Sequence, residues 1–454
     1  MAINLPGAVA LPMSFVSVST PALEPSASTV PQTADVAAAP SHKHKRGTHI
    51  PALDGIRGLA ILLVLIFHFS DVAYARGATG LSAILQRICG AGWIGVDLFF
   101  VLSGFLITSI LCEAAGTKGY FKNFYMRRTL RIFPLYFGTL LVAFGIYPLI
   151  FGYKPDYQHI YNDKWYLVFY LQNFISIDWK SFSHFWSLAV EEHFYLVWPS
   201  VLFFFGRKGA IAACVLMIVG AIGIRVYHVM SMPDSLTEGQ AFMWRQIPYL
   251  WTICRMDSLA IGSLLALLVN GVAADLVRFA RAAPWVLLTA ALGCAAMLFK
   301  HGSFSYQHRT IQMVGYTVVA IGAAALLVMT VTSPPDRFLG RTFSANWLRF
   351  LGKYSYGIYV IHSFVHHWMK EHWSLAQIRP MVFNSQAAAL AVYFAVATGI
   401  SIGLALLSWH LYEKHFLKLK RFFEYRAPTL EGFRPNESVS KAGKVDPETI
   451  PVKA

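Results

Sequence analysis

Apolar positions in this chain fall in long unbroken runs separated by short polar segments. Ten runs are long enough to cross a bilayer, which takes roughly 20 helical residues. They cover approximately 53–74, 93–112, 132–151, 185–205, 210–230, 250–270, 285–299, 311–331, 350–368 and 386–410. The pattern predicts an all-α polytopic membrane protein with about ten transmembrane helices and both termini cytoplasmic. The apolar stretch 165–174 is too short to span, and a crossing there would reverse the charge bias of everything after it. It is expected to be a short outer-face or re-entrant helix. Residues 1–42 contain no Lys or Arg and are rich in Ala, Pro, Ser and Val, which is not the basic start of a secretory signal. The expected organisation is a disordered cytoplasmic tail over 1–50, a transmembrane domain over 51–412 and a basic, largely disordered cytoplasmic tail over 413–454.

Composition excludes the alternatives. Of 454 residues, 56% are hydrophobic and only 13% charged, against about 25% charged in an ordinary soluble domain. Five cysteines, four of them in or beside apolar runs, predict no disulfide framework. The net charge of +15 is distributed as a membrane protein distributes it. With the predicted topology, 26 of the 38 Lys and Arg face the cytoplasm and 10 face outward, while Arg225 and Arg255 lie inside runs. That is the positive-inside bias, and no nucleic-acid partner is expected.

The first run carries Asp54, Arg57 and His68, and ionisable groups in apolar helices are costly enough to suggest function. Arg57 and His68 are 11 residues apart, about three turns or roughly 16 Å on one helix face. They cannot grip one atom, but they could hold the two ends of an elongated ligand. The structural alternatives are an interfacial arginine paired with Asp54 at i, i+3 and a hydrogen-bonded core histidine.

The stretch Leu53-Asp54-Gly55-Ile56-Arg57-Gly58-Leu59-Ala60, followed by His68, resembles the opening motif of the acyltransferase-3 family, bacterial integral-membrane O-acyltransferases that modify surface sugars and some secondary metabolites. Four further stretches match that family in order. They are Gly92 to Ile107, Arg127 to Tyr136, Phe185-Trp186-Ser187-Leu188-Ala189-Val190-Glu191-Glu192-His193-Phe194-Tyr195, and Gly352 to His362. Position 193 is His where many members carry Gln. Some relatives add an extracytoplasmic esterase-like domain after the last helix. The roughly 45-residue tail here is too short for one, so a separate extracytoplasmic partner could complete delivery.

The resemblance implies acyl-CoA, most simply acetyl-CoA, as donor co-substrate, with no tightly bound cofactor. Arg128 and Arg131 share a helix face, and paired guanidiniums suit phosphate oxygens, so Arg57, Arg127, Arg128 and Arg131 are the candidate donor-binding residues. Topology control is the plain alternative for that charge. His68 is the candidate general base, because an imidazole near its unperturbed pKa of about 6.5 transfers protons at neutral pH. Glu191 or Glu192 would orient it, and only one of two adjacent helical residues can face a given cavity. Candidate acceptor-lining residues are Ser103, Trp186, Ser187, Arg255, Asp257, Tyr356 and His362, with interhelical ion pairing as the alternative for Arg255 and Asp257. His362, His366, His367 and His372 have only Glu371 nearby as a carboxylate, and no metal is expected. Gly92, Gly95 and Gly104 read as helix packing before ligand contact.

The functional expectation is transfer of an acyl group from cytoplasmic acyl-CoA to a hydroxyl of a carbohydrate or glycosylated acceptor in the bacterial cytoplasmic membrane, directly or through an acyl-histidine. A transporter of glycan or lipid-linked intermediates, using the same buried charges for proton coupling, is the competing class. A scaffold without chemistry is the third.

Overall fold

A computed structural model describes residues 50–70, 80–152, 155–175, 178–269 and 273–425. Of the tails predicted to be disordered, 1–50 and 413–454, residues 1–49 and 426–454 lie outside the described residues, while 414–422 of the second are helical.

The described chain is helical throughout, without a strand. Its helices are α1 (Pro51–Ser70), α2 (Gly80–Gly90), α3 (Ile94–Glu113), α4 (Tyr120–Leu141), α5 (Tyr147–Phe151), α6 (Gln158–Val168), α7 (Trp186–Met230), α8 (Glu238–Leu250), α9 (Thr252–Leu268), α10 (Ala283–His301), α11 (Tyr316–Thr332), α12 (Phe338–Phe343), α13 (Asn346–His372), α14 (Leu375–Ile378), α15 (Gln386–Ser408) and α16 (Lys414–Lys418). Short-range chemistry sets several boundaries. α8 opens on a capping box in which Thr237 and Gln240 satisfy each other's backbone N–H groups. Ser385 caps α15. Within α7, Gly206 adopts φ 60° and ψ −168°, a conformation that a residue with a Cβ rarely takes, and the helix breaks there into two.

Eight helical segments among the described residues are long and apolar enough to cross a membrane, spanning 51–70, 86–113, 120–151, 180–230, 238–268, 283–301, 311–332 and 386–422. Two features separate these eight from the ten predicted runs. Segment 180–230 joins the fourth and fifth predicted runs, which meet at the Gly206 break. The ninth run falls in the 27-residue α13, which Arg349, Lys353 and a set of histidines make too polar to be counted. The stretch 165–174 proves to be the end of α6, a turn and a short 3₁₀ segment over Gln172–Phe174. All five cysteines are free.

Glycines decide which helices touch. A methyl group on Gly58 would collide with the Leu348 carbonyl, and one on Gly352 with the Asp54 carbonyl, so α1 and α13 cross with their backbones in contact. α3 and α9 cross in the same way, Gly104 against Leu259 and Gly262 against Val101. Gly92 and Gly95 bring the start of α3 onto Leu63 and Ala60 of α1. These crossings gather α1, α3, α9 and α13 into a central packet, with α4 and α7 at its side.

Candidate functional site

The close crossings leave a cavity of about 110 Å³ between α1, α3, α4, α7 and α13. Arg57 enters it from α1, Ser103 from α3, Arg128 and Arg131 from α4, Ser187, Glu191, Glu192 and Tyr195 from α7, and Tyr356 and Tyr359 from α13. Arg57 donates to Asp54 at 3.1 Å, so it carries the predicted i, i+3 pair and still lines the cavity. The Arg128 guanidinium lies over the Tyr195 ring, 5.3 Å from its centroid. Tyr195 shares a 2.5 Å hydrogen bond with the Ser103 hydroxyl, and the Glu191 carboxylate lies beside both hydroxyls, in the field of Arg128 and Arg57. Glu192 Oε1 is buried with no hydrogen-bond partner, and Tyr356 donates to the Ile132 carbonyl at 2.7 Å.

Positive charge is concentrated at one side of this cavity. Arg57, Arg128 and Arg131 are close enough to repel one another, and Lys420, in the turn Leu419–Phe422 after α16, feels all three together with Arg127. Lys420 was not anticipated from sequence, because it lies about 290 residues beyond the motif it joins. Arg127 does not line the cavity. Its guanidinium donates to the backbone carbonyls of Lys420 and Phe423, both at 3.4 Å, which ties the basic end of α4 to the chain's last described segment.

His68 is not among the cavity-lining residues. Its Nδ1–H donates to the Val64 carbonyl at 3.0 Å, and its ring packs edge-on against His362, centroids 4.8 Å apart. His362 in turn packs against His184 at 4.9 Å. Ser187 and Tyr359 stand between this imidazole group and the cavity: their hydroxyls lie 2.5 Å apart, Tyr359 donates to the His184 carbonyl at 2.9 Å, and the Ser187 proton is shared between the Tyr359 oxygen and that carbonyl, 3.2 Å away. The expectation that Glu191 or Glu192 orients His68 therefore meets a different arrangement. Both carboxylates share the arginine cavity, and the imidazoles stand one layer beyond it. His362, expected to line the acceptor site, belongs to the imidazole group. His184 and Tyr359 were not singled out from sequence, although His184 stands two residues before Trp186 and Tyr359 lies three from both Tyr356 and His362, a helical spacing that would have found it.

Arg255, Asp257 and Trp186 are not brought to the cavity either. Arg255 donates to Asp97 at 2.8 Å, Asp97 also accepts from Ser258 at 2.6 Å, and four rings surround the guanidinium: Tyr316 at 4.2 Å, Tyr249 at 5.1 Å, Trp186 at 5.7 Å and Phe100 at 5.8 Å. Asp257 accepts from Arg225 at 2.9 Å and from Thr317 at 2.6 Å. All four charged side chains are fully buried. Buried charges persist when each has a partner, and here the partners come from α3, α7, α9 and α11. At position 193 the imidazole Nδ1 shares a 2.7 Å hydrogen bond with the Thr252 hydroxyl, and the ring stacks on Phe174.

Residues 50–409 match the acyltransferase-3 family, described as an acyltransferase domain, and the chain belongs to that family. Its eight apolar helical segments suit a multi-pass membrane protein. It is 29% identical over 348 residues to YrhL of Bacillus subtilis, which is named provisionally as a peptidoglycan O-acetyltransferase, with 71% of this chain and 49% of that protein aligned. It is also 29% identical over 332 residues to the peptidoglycan O-acetyltransferase OatA of Listeria monocytogenes, with 69% and 49% aligned. The chain thus spans about half the length of these relatives. No solved structure matches it.

Proposed function

We propose that the chain takes an acetyl group from cytoplasmic acetyl-CoA and esterifies a hydroxyl of a cell-envelope glycan of the peptidoglycan class, working in the bacterial cytoplasmic membrane with ten crossings and both termini inside. The observation that carries the reading is the convergence of Arg57, Arg128 and Arg131 on one cavity beside two carboxylates, with Lys420 close enough to feel all three. Guanidiniums that face a pocket together bind phosphate through charge-assisted hydrogen bonds. The donor's phosphates sit on these groups, and the narrow thioester arm enters between Ser103, Ser187 and Tyr356. Glu192 Oε1, which lacks a partner, accepts from an amide or hydroxyl of the bound ligand. The arm reaches His68 by passing Tyr359, and His68 removes the proton of the acceptor hydroxyl as that oxygen attacks the thioester carbon. A separate extracytoplasmic protein completes delivery where the acceptor lies away from the membrane.

The test is thiol release and acetyl-ester formation by the purified protein with labelled acetyl-CoA and soluble peptidoglycan fragments. Wild type forms ester, His68→Ala forms none, and Arg128→Ala does so only at raised donor concentration. Full ester formation by His68→Ala would remove the base from the reading. Transport of glycan fragments across vesicles without ester formation would establish the transporter class in its place.

A further inference from the structure

The basic side of the cavity is built from two distant parts of the chain. α4 carries Arg127, Arg128 and Arg131, and the segment after α16 is tied onto it. Arg127 donates to the Lys420 and Phe423 carbonyls at 3.4 Å, and Asn123 donates to the Glu424 carbonyl at 3.1 Å. Arg131 and Leu417 of α16 share a small pocket with Lys353 and Glu413. Lys420 is turned inward by these contacts: it is half-buried, while Lys418 and Arg421 near it in the chain are exposed. Its ammonium stands in the field of Arg131, Arg128, Arg127 and Arg57. None of Arg128, Arg131 and Lys420 takes part in an ion pair among the described residues. Tyr425, in the field of Arg127 and Arg128, has a buried hydroxyl without a hydrogen-bond partner. Like charges gathered in this way repel, and a buried hydroxyl left unpaired is costly. An anion bound there relieves both.

The proposed donor carries phosphate in two places. At about 110 Å³ the cavity suits a thioester arm, and Lys420 is not among its lining residues. In that reading the nucleotide end of coenzyme A stays outside on the arginine side, with a diphosphate and, separately on the ribose, a 3′-phosphate. A phosphomonoester holds about −1.5 to −2 charge at pH 7 and three acceptor oxygens, so it calls for donors of its own. We propose that Lys420 and the Tyr425 hydroxyl form a second phosphate subsite, which takes the 3′-phosphate of the donor and selects coenzyme A over its 3′-dephospho form. This rests on the acetyl-CoA reading, with Arg57, Arg128 and Arg131 left to the diphosphate. No covalent bond is made or broken at the subsite; the ammonium and the hydroxyl donate to phosphate oxygens. An anionic lipid headgroup presents the same phosphate chemistry, and Lys414, Lys418, Lys420 and Arg421 form a basic run beside an apolar helix. The test therefore separates the two sources.

The first measurement is equilibrium binding of coenzyme A and of 3′-dephospho-coenzyme A, which differ by that phosphate alone, to the full-length protein in phosphatidylcholine nanodiscs. Wild type is expected to bind coenzyme A roughly tenfold or more tightly than the dephospho form, the size of one hydrogen bond to a charged group. Lys420→Met loses that factor for coenzyme A and binds the dephospho form as wild type does. Tyr425→Phe loses part of it, and Lys418→Met, in the same basic run, keeps all of it. Discrimination that survives in Lys420→Met, or an equal loss for both ligands, overturns the proposal. Native mass spectrometry after exchange into phosphatidylglycerol supplies the lipid arm. Lipid retention that falls in Lys420→Met while discrimination holds assigns Lys420 to a headgroup and likewise overturns the subsite. The last measurement is acetyl transfer to soluble peptidoglycan fragments. Lys420→Met raises the KM for acetyl-CoA by the same factor, and leaves kcat and the KM for 3′-dephospho-acetyl-CoA unchanged. Wild type that discriminates the two coenzymes but forms no ester defeats the transfer reading and leaves the subsite standing. Wild type that binds neither defeats the donor reading and the subsite together.

Discussion

Removing Arg255 measures whether this buried cation is structural. The side chain is fully buried, donates to Asp97 at 2.8 Å and lies among four aromatic rings. Arg255→Met leaves the Asp97 carboxylate with Ser258 as its hydrogen-bond donor, and its Oδ2 already lacks one. Breaking a buried pair from one side costs about 3–5 kcal/mol, because the remaining charge stays desolvated. At about 1.4 kcal/mol per factor of ten, that is two to three orders of magnitude in the folding constant. The double variant Asp97→Leu/Arg255→Met removes both charges together, and such apolar replacements are often neutral or stabilising by about 1–4 kcal/mol. The singles therefore sum to far more than the double. The assay is denaturant unfolding in detergent followed by tryptophan fluorescence, with acetyl transfer measured on each folded variant. A single variant as stable as wild type refutes the electrostatic argument. A stable, correctly folded double variant that forms no ester assigns Arg255 to the substrate after all.

Four further outcomes follow from the same geometry. Arg128→Ala should raise the donor KM roughly tenfold or more, since hydrogen bonds to charged groups are worth about 1.5–3 kcal/mol, while kcat changes little; steady-state kinetics over donor concentration checks this. Gly262→Ala should destabilise by about 1–3 kcal/mol through overpacking and lower the yield of monodisperse protein on size exclusion, because its methyl group meets the Val101 carbonyl and drives α9 from α3. Thr108→Val should cost about 1–3 kcal/mol in the same unfolding assay, as it leaves the buried Trp198 indole N–H, now bonded to Thr108 Oγ1 at 2.8 Å, without an acceptor. Burial, and then the neighbouring His301, hold the His308 imidazole below its ordinary range in the loop between α10 and α11. The folded form thus binds fewer protons than the unfolded one, so this contribution is complete above about pH 6.5 and is lost as pH falls toward the depressed value. Hydrogen exchange in residues 302–310 should quicken over that window, and a flat profile would contradict the assignment.

Much of this protein is written locally. Runs of apolar residues specified helices and a membrane, since helix length and hydrophobicity are properties of consecutive residues. The motif at Arg57 and the paired arginines on α4 were legible because each occupies one helix face; that both Glu191 and Glu192 of α7 line the cavity, although adjacent helical residues point about 100° apart, was not. Residues whose role depends on a distant partner were not legible. The chain does not say that Arg255 meets Asp97, 158 positions away, instead of Asp257 two positions on, or that Arg225 takes Asp257. Nor does the spacing of Arg57 and His68 reveal that Ser187 and Tyr359 partition the space between them, or that His184 and His362 gather around the latter. A helix fixes which residues share a face, while the crossing of two helices, set here by glycines whose backbones touch, fixes which faces meet.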